Sequence, residues 1–175
     1  MRHIRNYLDI GAQFAHVNDM SKFDKADRDI LQALQGDSLL TGQALGERVN
    51  LSPSQATRRR ARLEAEGVIT GHRAQVAPDK LGLTVQAFIQ VQTATHTDQS
   101  HAAFLTLVAH QPEITAAWTL TGEADYLLRV RCADLGALNQ LVQTVLLPHP
   151  AVGRVQSQIV MDELKRDGPL PIGRT

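Results

Sequence analysis

One tetrapeptide constrains the first half of the chain more than any other feature. In Ser52-Pro53-Ser54-Gln55 a serine stands at an N-cap position and proline at the first helical position, where its missing N–H is harmless. Glutamine at the third helical position can reach back to the serine amide. This capping box predicts a helix from Pro53 to about Glu66, closed by Gly67. Ala56 and Leu63 fall on one side of it. Two shorter helices are predicted before it. Asp24 can cap the first, with Ile30, Leu31 and Leu34 on its apolar side and a stop near Gly36-Asp37-Ser38. Thr41 can cap the second, with Leu45 and Val49 four residues apart and Asn50 able to take a left-handed turn. Val68-Ile69-Thr70 reads as a short strand, with Gly71 as a turn.

After Ala77-Pro78-Asp79-Lys80-Leu81-Gly82, a stretch of breaker residues, the rhythm changes. Val85, Ala87, Ile89 and Val91 alternate, as do Ala116, Trp118 and Leu120, then Tyr126, Leu128, Val130 and Cys132. Between them Phe104, Leu107 and Val108 keep helical spacing, and Leu138, Leu141, Val142 and Val145 form an amphipathic stripe ended by Pro148 and Pro150. A last strand is expected from about Val155 to Met161. The order βαββαβ is that of a ferredoxin-like α/β sandwich, so the fold class is α+β: a helical domain, then this one.

Composition removes several function classes. The 175 residues suffice for one large or two small domains, and 18 basic residues balance 18 acidic ones. A polybasic coat or acidic tail is thus excluded for the chain as a whole. Locally the balance shifts: nine basic residues face seven acidic ones over 21–75, whereas three face seven over 83–163. Cys132 is the single cysteine, which leaves no internal disulfide and no Cys-rich zinc site. No apolar run reaches the ~20 residues of a membrane helix, so a soluble, cytoplasmic protein is expected. His96, His101, His110 and His149 lack metal-ligand spacing. No nucleophile elbow, phosphate loop or dinucleotide fingerprint is present, so neither catalysis nor a cofactor is expected.

Two constellations carry chemistry. Residues 53–63 hold Arg58, Arg59, Arg60 and Arg62 and no acid. On a helical wheel Ser54, Arg58, Arg62 and, at the edge, Gln55 lie opposite Ala56 and Leu63, whereas Arg60 lies beside the apolar side. Hydroxyl, amide and guanidinium groups so displayed bond phosphates and base edges, and the preceding helix supplies the support of a helix-turn-helix. An arginine run can also be only a solvated helix face; the cap and the short helix before it favour DNA binding. The second constellation is Thr121-Gly122-Glu123-Ala124-Asp125-Tyr126, read as a turn between two adjacent central strands. Its carboxylates and backbone donors suit a small zwitterion, but spacing alone favours a simple turn.

At these residues the chain, from Phe23 to about Lys165, resembles the Lrp/AsnC (leucine-responsive/asparagine-responsive, feast/famine) family of transcription regulators. The landmarks are Phe23-Asp24 and Asp27 with Ile30-Leu31, Leu51-Ser52-Pro53, Arg59, Arg62-Leu63-Glu64, Gly67-Val68-Ile69, Leu81-Gly82-Leu83, and Thr121-Gly122 with Asp125-Tyr126. The resemblance implies a winged helix-turn-helix domain over 21–75, a linker over 76–83, an effector-binding and oligomerisation domain over 84–165 and a tail over 166–175. Residues 1–20 fall outside it. It implies as partners double-stranded promoter DNA, a small amino-acid effector, and further copies of the chain, as a homodimer through the C-terminal sheets and often an octamer, in the nucleoid. DNA contacts are then expected from Ser52, Ser54, Gln55, Arg58, Arg59 and Arg62. Effector contacts are expected from Trp118, Thr121, Gly122, Asp125, Tyr126, Leu135 and Gln158, with Asp125 as acceptor for the ammonium. Four residues depart from the pattern: Leu39, Gly46, Arg60 and Ala124. The competing readings are a DNA-coating protein without an effector and a ferredoxin-like enzyme or regulatory subunit.

Overall fold

The computed structural model describes residues 22–95 and 97–172. The extension 1–20, where Ile4, Tyr7, Leu8, Phe14 and Ala15 show partial helical spacing, lies outside the described residues, as does His96. The chain forms two compact units. One comprises the chain up to Arg73 with the segment from Asp167; the other is Ala74–Arg166.

The first unit contains α1 (Lys25–Gly36), α2 (Gly42–Val49) and α3 (Pro53–Ala65). Each starts at the expected cap. Asp24 accepts from the Asp27 amide at 2.8 Å, and Thr41 from the Ala44 amide at 3.2 Å. The α3 box closes both ways: Ser52 Oγ accepts from the Gln55 amide, and Gln55 Oε1 accepts from the Ser52 amide. Asn50 ends α2 in the left-handed conformation. Ile30, Ala33, Leu34, Leu45, Val49, Ala56 and Leu63 make the core, one stripe from each helix. Gly46 has a packing reason. A Cβ there would stand 2.7 Å from the Leu51 carbonyl oxygen, so the α2–α3 turn closes only over a residue without a side chain.

No strand forms at 68–70. The Val68 and Ile69 amides both donate to the Leu63 carbonyl, finishing the end of α3, and the two side chains pack half-buried against the helical core. With those two amides satisfied locally, they are not available for a ladder there. The C-terminal segment of this unit touches α1: the Gln35 carboxamide receives the Leu170 amide at 2.5 Å and donates to the Leu170 carbonyl at 3.2 Å.

The second unit begins with a 3₁₀ turn, Pro78–Leu81, closed by Gly82 in the left-handed region. There follow β1 (Val85–Thr93), α4 (Asp98–His110), β2 (Ile114–Thr119), β3 (Tyr126–Cys132), α5 (Leu135–Gln140) and β4 (Val152–Ile159). The sheet is antiparallel throughout, in the order β2-β3-β1-β4. Hence β2 is an edge strand, and the 120–125 turn joins an edge strand to a central one rather than two central strands. The alternating residues Ala87, Ile89, Val91, Tyr126, Leu128, Val130 and Cys132 face a core with Phe104, Leu138, Leu141 and Leu146. The expected last helix is α-helical only to Gln140; Leu141–Leu146 is a π-turn, in which the Leu147 amide reaches back to the Val142 carbonyl. Residues five apart on an α-helix diverge by ~140°. The wider turn brings Leu141 and Leu146 to the same side, and both are buried. The last strand starts three residues earlier than expected and ends at Ile159, leaving Met161 fully exposed.

Candidate functional site

The arginines of α3 separate into two kinds. Asp27, on α1, has a side chain 2% exposed, which no carboxylate tolerates without partners. Arg59 donates to it at 2.8 Å and to Asp24 at 2.8 Å, and Arg62 meets its other oxygen at 2.6 Å. These two arginines clamp α3 onto α1. Ion pairing raises the Arg59 guanidinium pKa, chiefly through Asp27. The Asp24 carboxyl is lowered, chiefly by the Asp27 backbone N–H and then by Arg59. Arg60, beside the core as the wheel indicates, pairs with Glu64 at 2.9 Å and donates to the Leu40 carbonyl and to His72. That pairing, with His72, lowers the Glu64 carboxyl.

Arg58 differs. It is exposed and has no hydrogen-bond or ion-pair partner among the described residues. Ser54 lies one turn before it on the same exposed side and shares a 3.2 Å hydroxyl contact with Ser52. Ser52 and Gln55 are occupied by the capping box. The wheel's outward placement of Arg62 is therefore corrected: Arg62, like Arg59, reaches a carboxylate more than 30 residues away in sequence. Arg48, exposed on α2 and also without a partner among the described residues, is a cation that the attention to α3 overlooked.

The turn in the second unit undergoes a similar revision. Asp125 Oδ2 accepts from the Thr93 amide at 2.7 Å and from the Thr93 hydroxyl at 2.8 Å. Its backbone donates to Val91 and accepts from Leu120. This oxygen staples the turn to the end of β1 and is not an open ammonium acceptor. Tyr126 is buried, with its ring on Phe104 (centroids 4.5 Å apart) and its hydroxyl against His101 Nδ1. Burial, then the Asp125 charge, pushes the phenol pKa up. Tyr126 therefore belongs to the core between sheet and helices. Thr121 and Gly122 are exposed, and Gly122 has φ of 120°, a region that favours glycine.

Trp118 and Gln158 lie on the sheet face away from the helices. Trp118 pairs with Leu127 and Gln158 with Phe88. Leu135, 57% exposed, follows β3 at its far end. The seven residues of β3 put it roughly 20 Å from the turn at Gly122. These effector candidates cannot line one pocket within a chain. A pocket does exist at the turn end of the outer sheet face, lined by Gln90, Gln92, Glu123, Ala124, Arg154 and Gln156. Of these only Glu123 and Ala124 belong to a stretch singled out from the sequence. Arg154 enters through the β1–β4 register, which sets it opposite Gln92. Among the described residues no His/Cys/Asp/Glu group could hold a metal ion, and no helix is long and apolar enough to cross a membrane.

Comparison with known proteins converges on one family. Residues 23–70 match the winged helix-turn-helix DNA-binding model, and residues 86–170 match the Lrp/AsnC ligand binding domain. The chain is 36% identical to the DNA-binding transcriptional activator DecR of Escherichia coli K12, over 85% of this chain and 98% of that one. It is 33% identical to the leucine-responsive regulatory protein of the same strain, over 85% and 91%. A Neisseria meningitidis transcriptional regulator crystallised with L-Met superposes with a TM-score of 0.83 at 38% identity, covering 86% of this chain and 97% of that one. The chain belongs to the Lrp/AsnC family. It is a DNA-binding transcriptional regulator of that type.

Proposed function

We propose that this protein is a homo-oligomeric regulator that grips promoter DNA through α3 and adjusts that grip to a free amino acid held by its C-terminal unit. The observation that carries the DNA half is the division of labour among the arginines. Two lock α3 to α1 by way of Asp27, and Arg58 stays exposed beside Ser54. A recognition helix needs both properties: a rigid seat, and donors left for phosphate and base edges. The amino-acid half is supported by the ligand-binding model matched over 86–170 and by the L-Met bound to the Neisseria regulator. Self-association is supported by the outer sheet face, where Trp118 is 44% exposed and Phe88 and Leu127 are only partly covered. Its place of action is the cytoplasm, on the nucleoid.

The test is fluorescence anisotropy with promoter duplex across a salt series. Arg58→Ala is expected to weaken binding roughly 5- to 150-fold, which corresponds to ~1–3 kcal/mol. The log–log salt slope should fall by about 0.9 for each phosphate that the variant no longer neutralises. Wild-type affinity and slope in this variant would show that α3 is not the recognition helix. Light scattering on the full chain at micromolar concentration checks assembly: a dimer or larger is expected, and a monomer would refute it.

A further inference from the structure

The exposed stripe of α3, Ser54, Arg58, Ala61 and Ala65, runs between two sets of ion pairs that tie the helix to its own unit. On one side Arg59 and Arg62 hold Asp27. On the other, Arg60 holds Glu64 through Nε at 2.9 Å and the Leu40 carbonyl through Nη1 at 3.2 Å. Only the second side includes a histidine. His72 Nε2 stands 3.3 Å from Arg60 Nη2 and 3.3 Å from Glu64 Oε1. One ring nitrogen thus meets two neighbours with opposite demands, since a guanidinium only donates and a carboxylate only accepts. The bare nitrogen of a neutral ring serves Arg60 and turns a lone pair toward Glu64. A protonated nitrogen serves Glu64 and turns its hydrogen toward Arg60. Arg60, then His72, hold the Glu64 carboxyl below its ordinary pKa, so it stays an acceptor throughout the range in which imidazoles titrate. The connection between α1 and α2 reaches this cluster only through the Leu40 carbonyl. On the segment of His72 itself the next residue is Arg73, exposed and without a partner among the described residues.

We propose that His72 is a proton-operated contact, which changes partner from Arg60 to Glu64 on protonation and makes the DNA affinity of α3 rise as pH falls. This rests on the reading that α3 faces DNA, and it adds a regulation of that same face. With a neutral imidazole the charges of Arg60, Glu64 and His72 sum to zero; with an imidazolium they sum to one positive charge. That charge arises at the edge of the exposed stripe, beside Arg73, and Glu64 lies about 120° around the helix from Arg58. DNA is a dense polyanion and binds more tightly to the state that carries the extra cation. By linkage, DNA then draws a proton onto His72 as it binds. The sign follows: the tighter binding is present while the imidazole is charged and is lost as pH rises through the histidine range. The Asp27 side contains no histidine, so α3 keeps that attachment while the charge at its other edge changes.

Fluorescence anisotropy between pH 8 and pH 6 tests this, with the full chain and a duplex that the wild type has selected from a random-sequence pool. The wild type should bind about 2- to 5-fold more tightly at pH 6, the effect of roughly one exposed ion pair. Its log–log salt slope should be steeper there than at pH 8. His72→Gln keeps hydrogen-bonding groups but cannot take up charge, and it should lose that rise. Arg60→Met removes the neighbour that opposes the imidazolium, so the midpoint of the rise should move to higher pH. Glu64→Gln removes the neighbour that favours it, so the midpoint should move to lower pH. The His72 side chain is 34% exposed, and the melting temperature of His72→Gln at pH 8 should match the wild type. If the rise survives His72→Gln, the proton binds elsewhere and the proposal fails while the DNA reading stands. If the two α3 variants move the midpoint in the same direction, or leave it in place, the exchange of partners is overturned. If the wild type selects no duplex at either pH, the DNA reading of α3 falls with it.

Discussion

Helix α3 and the 120–125 turn both concentrate charge at a surface, and the two regions handle it differently. For α3 the anchor is Asp27 of α1, a carboxylate with a side chain 2% exposed, so it draws in whatever cations can reach it; Arg59 and Arg62 do, and Arg58, one turn before Arg62, does not. In the turn the anchor is Asp125, half-buried, and one of its oxygens takes both the amide and the hydroxyl of Thr93. The helix thus commits most of its charge to position one exposed arginine. The turn commits one carboxylate, and Glu123 beside it enters no ion pair among the described residues. Depth contributes to the difference: a deeply buried carboxylate needs charged partners, whereas one nearer the surface can also take neutral donors.

The largest effect expected from breaking this contrast is at Asp27. Asp27→Ala strands Arg62, whose other partner is Glu66 at 3.8 Å, while Arg59 keeps Asp24. Removing one member of a buried pair costs ~3–5 kcal/mol when the survivor stays buried; here the arginines can turn to water, so about 2–3 kcal/mol is expected. Denaturant unfolding measures it. A loss under about 0.5 kcal/mol would mean that the clamp does not hold α3. Arg58→Ala, by contrast, should leave stability within about 0.5 kcal/mol of wild type, since exposed substitutions away from such networks rarely do more.

A smaller effect is expected at the turn. Asp125→Ala removes the acceptor of two hydrogen bonds from Thr93, for a loss of about 1–2 kcal/mol. Hydrogen exchange should accelerate at residues 120–125 and at Thr93, with the 22–73 unit unchanged. Uniform acceleration along the chain would contradict a local staple.

The smallest is a pH effect at Asp24. Its folded pKa is depressed, so the stability it contributes is present above the usual carboxylate value of about 4 and is lost as pH falls through the lower folded value. Thermal melts between pH 2 and 7 should show the first unit weakening below about pH 4. Asp24→Asn, which keeps a capping oxygen but no charge, should flatten that decline. An unchanged profile in the variant would assign the acid sensitivity to other carboxylates.

Much of the fold was legible because its signals are local. Asp24, Thr41 and Ser52 cap helices through bonds to residues three positions on, and Gly67 ends α3 at φ of 71°. The alternation in 85–91 and 126–132 places the same residues in the core that period two assigns. Less of the candidate site was legible. A helical wheel sets Arg62 on the outward side, but a guanidinium on a three-carbon stem swings past its own Cβ direction to reach Asp27. The wheel carries no information about a carboxylate 35 positions earlier. The 68–70 segment has strand composition, yet its amides close the end of α3. The π-turn shares its apolar pattern with an ordinary helix until the core asks for both Leu141 and Leu146.

The sequence by itself determined where elements start and stop, which faces are apolar, the βαββαβ order and the class of regulator. Caps, periods and motifs act over a few residues and are written in order along the chain. Tertiary structure alone decided which charges remain usable. It set Arg154 across β1 from Glu123 through strand register, and Leu135 at the opposite end of β3 from Gly122. It also turned Arg59 and Arg62 inward. Whether a charged group binds a partner or holds the fold depends on what lies within about 4 Å of it. Chain folding sets that distance between residues that sequence spacing leaves unrelated.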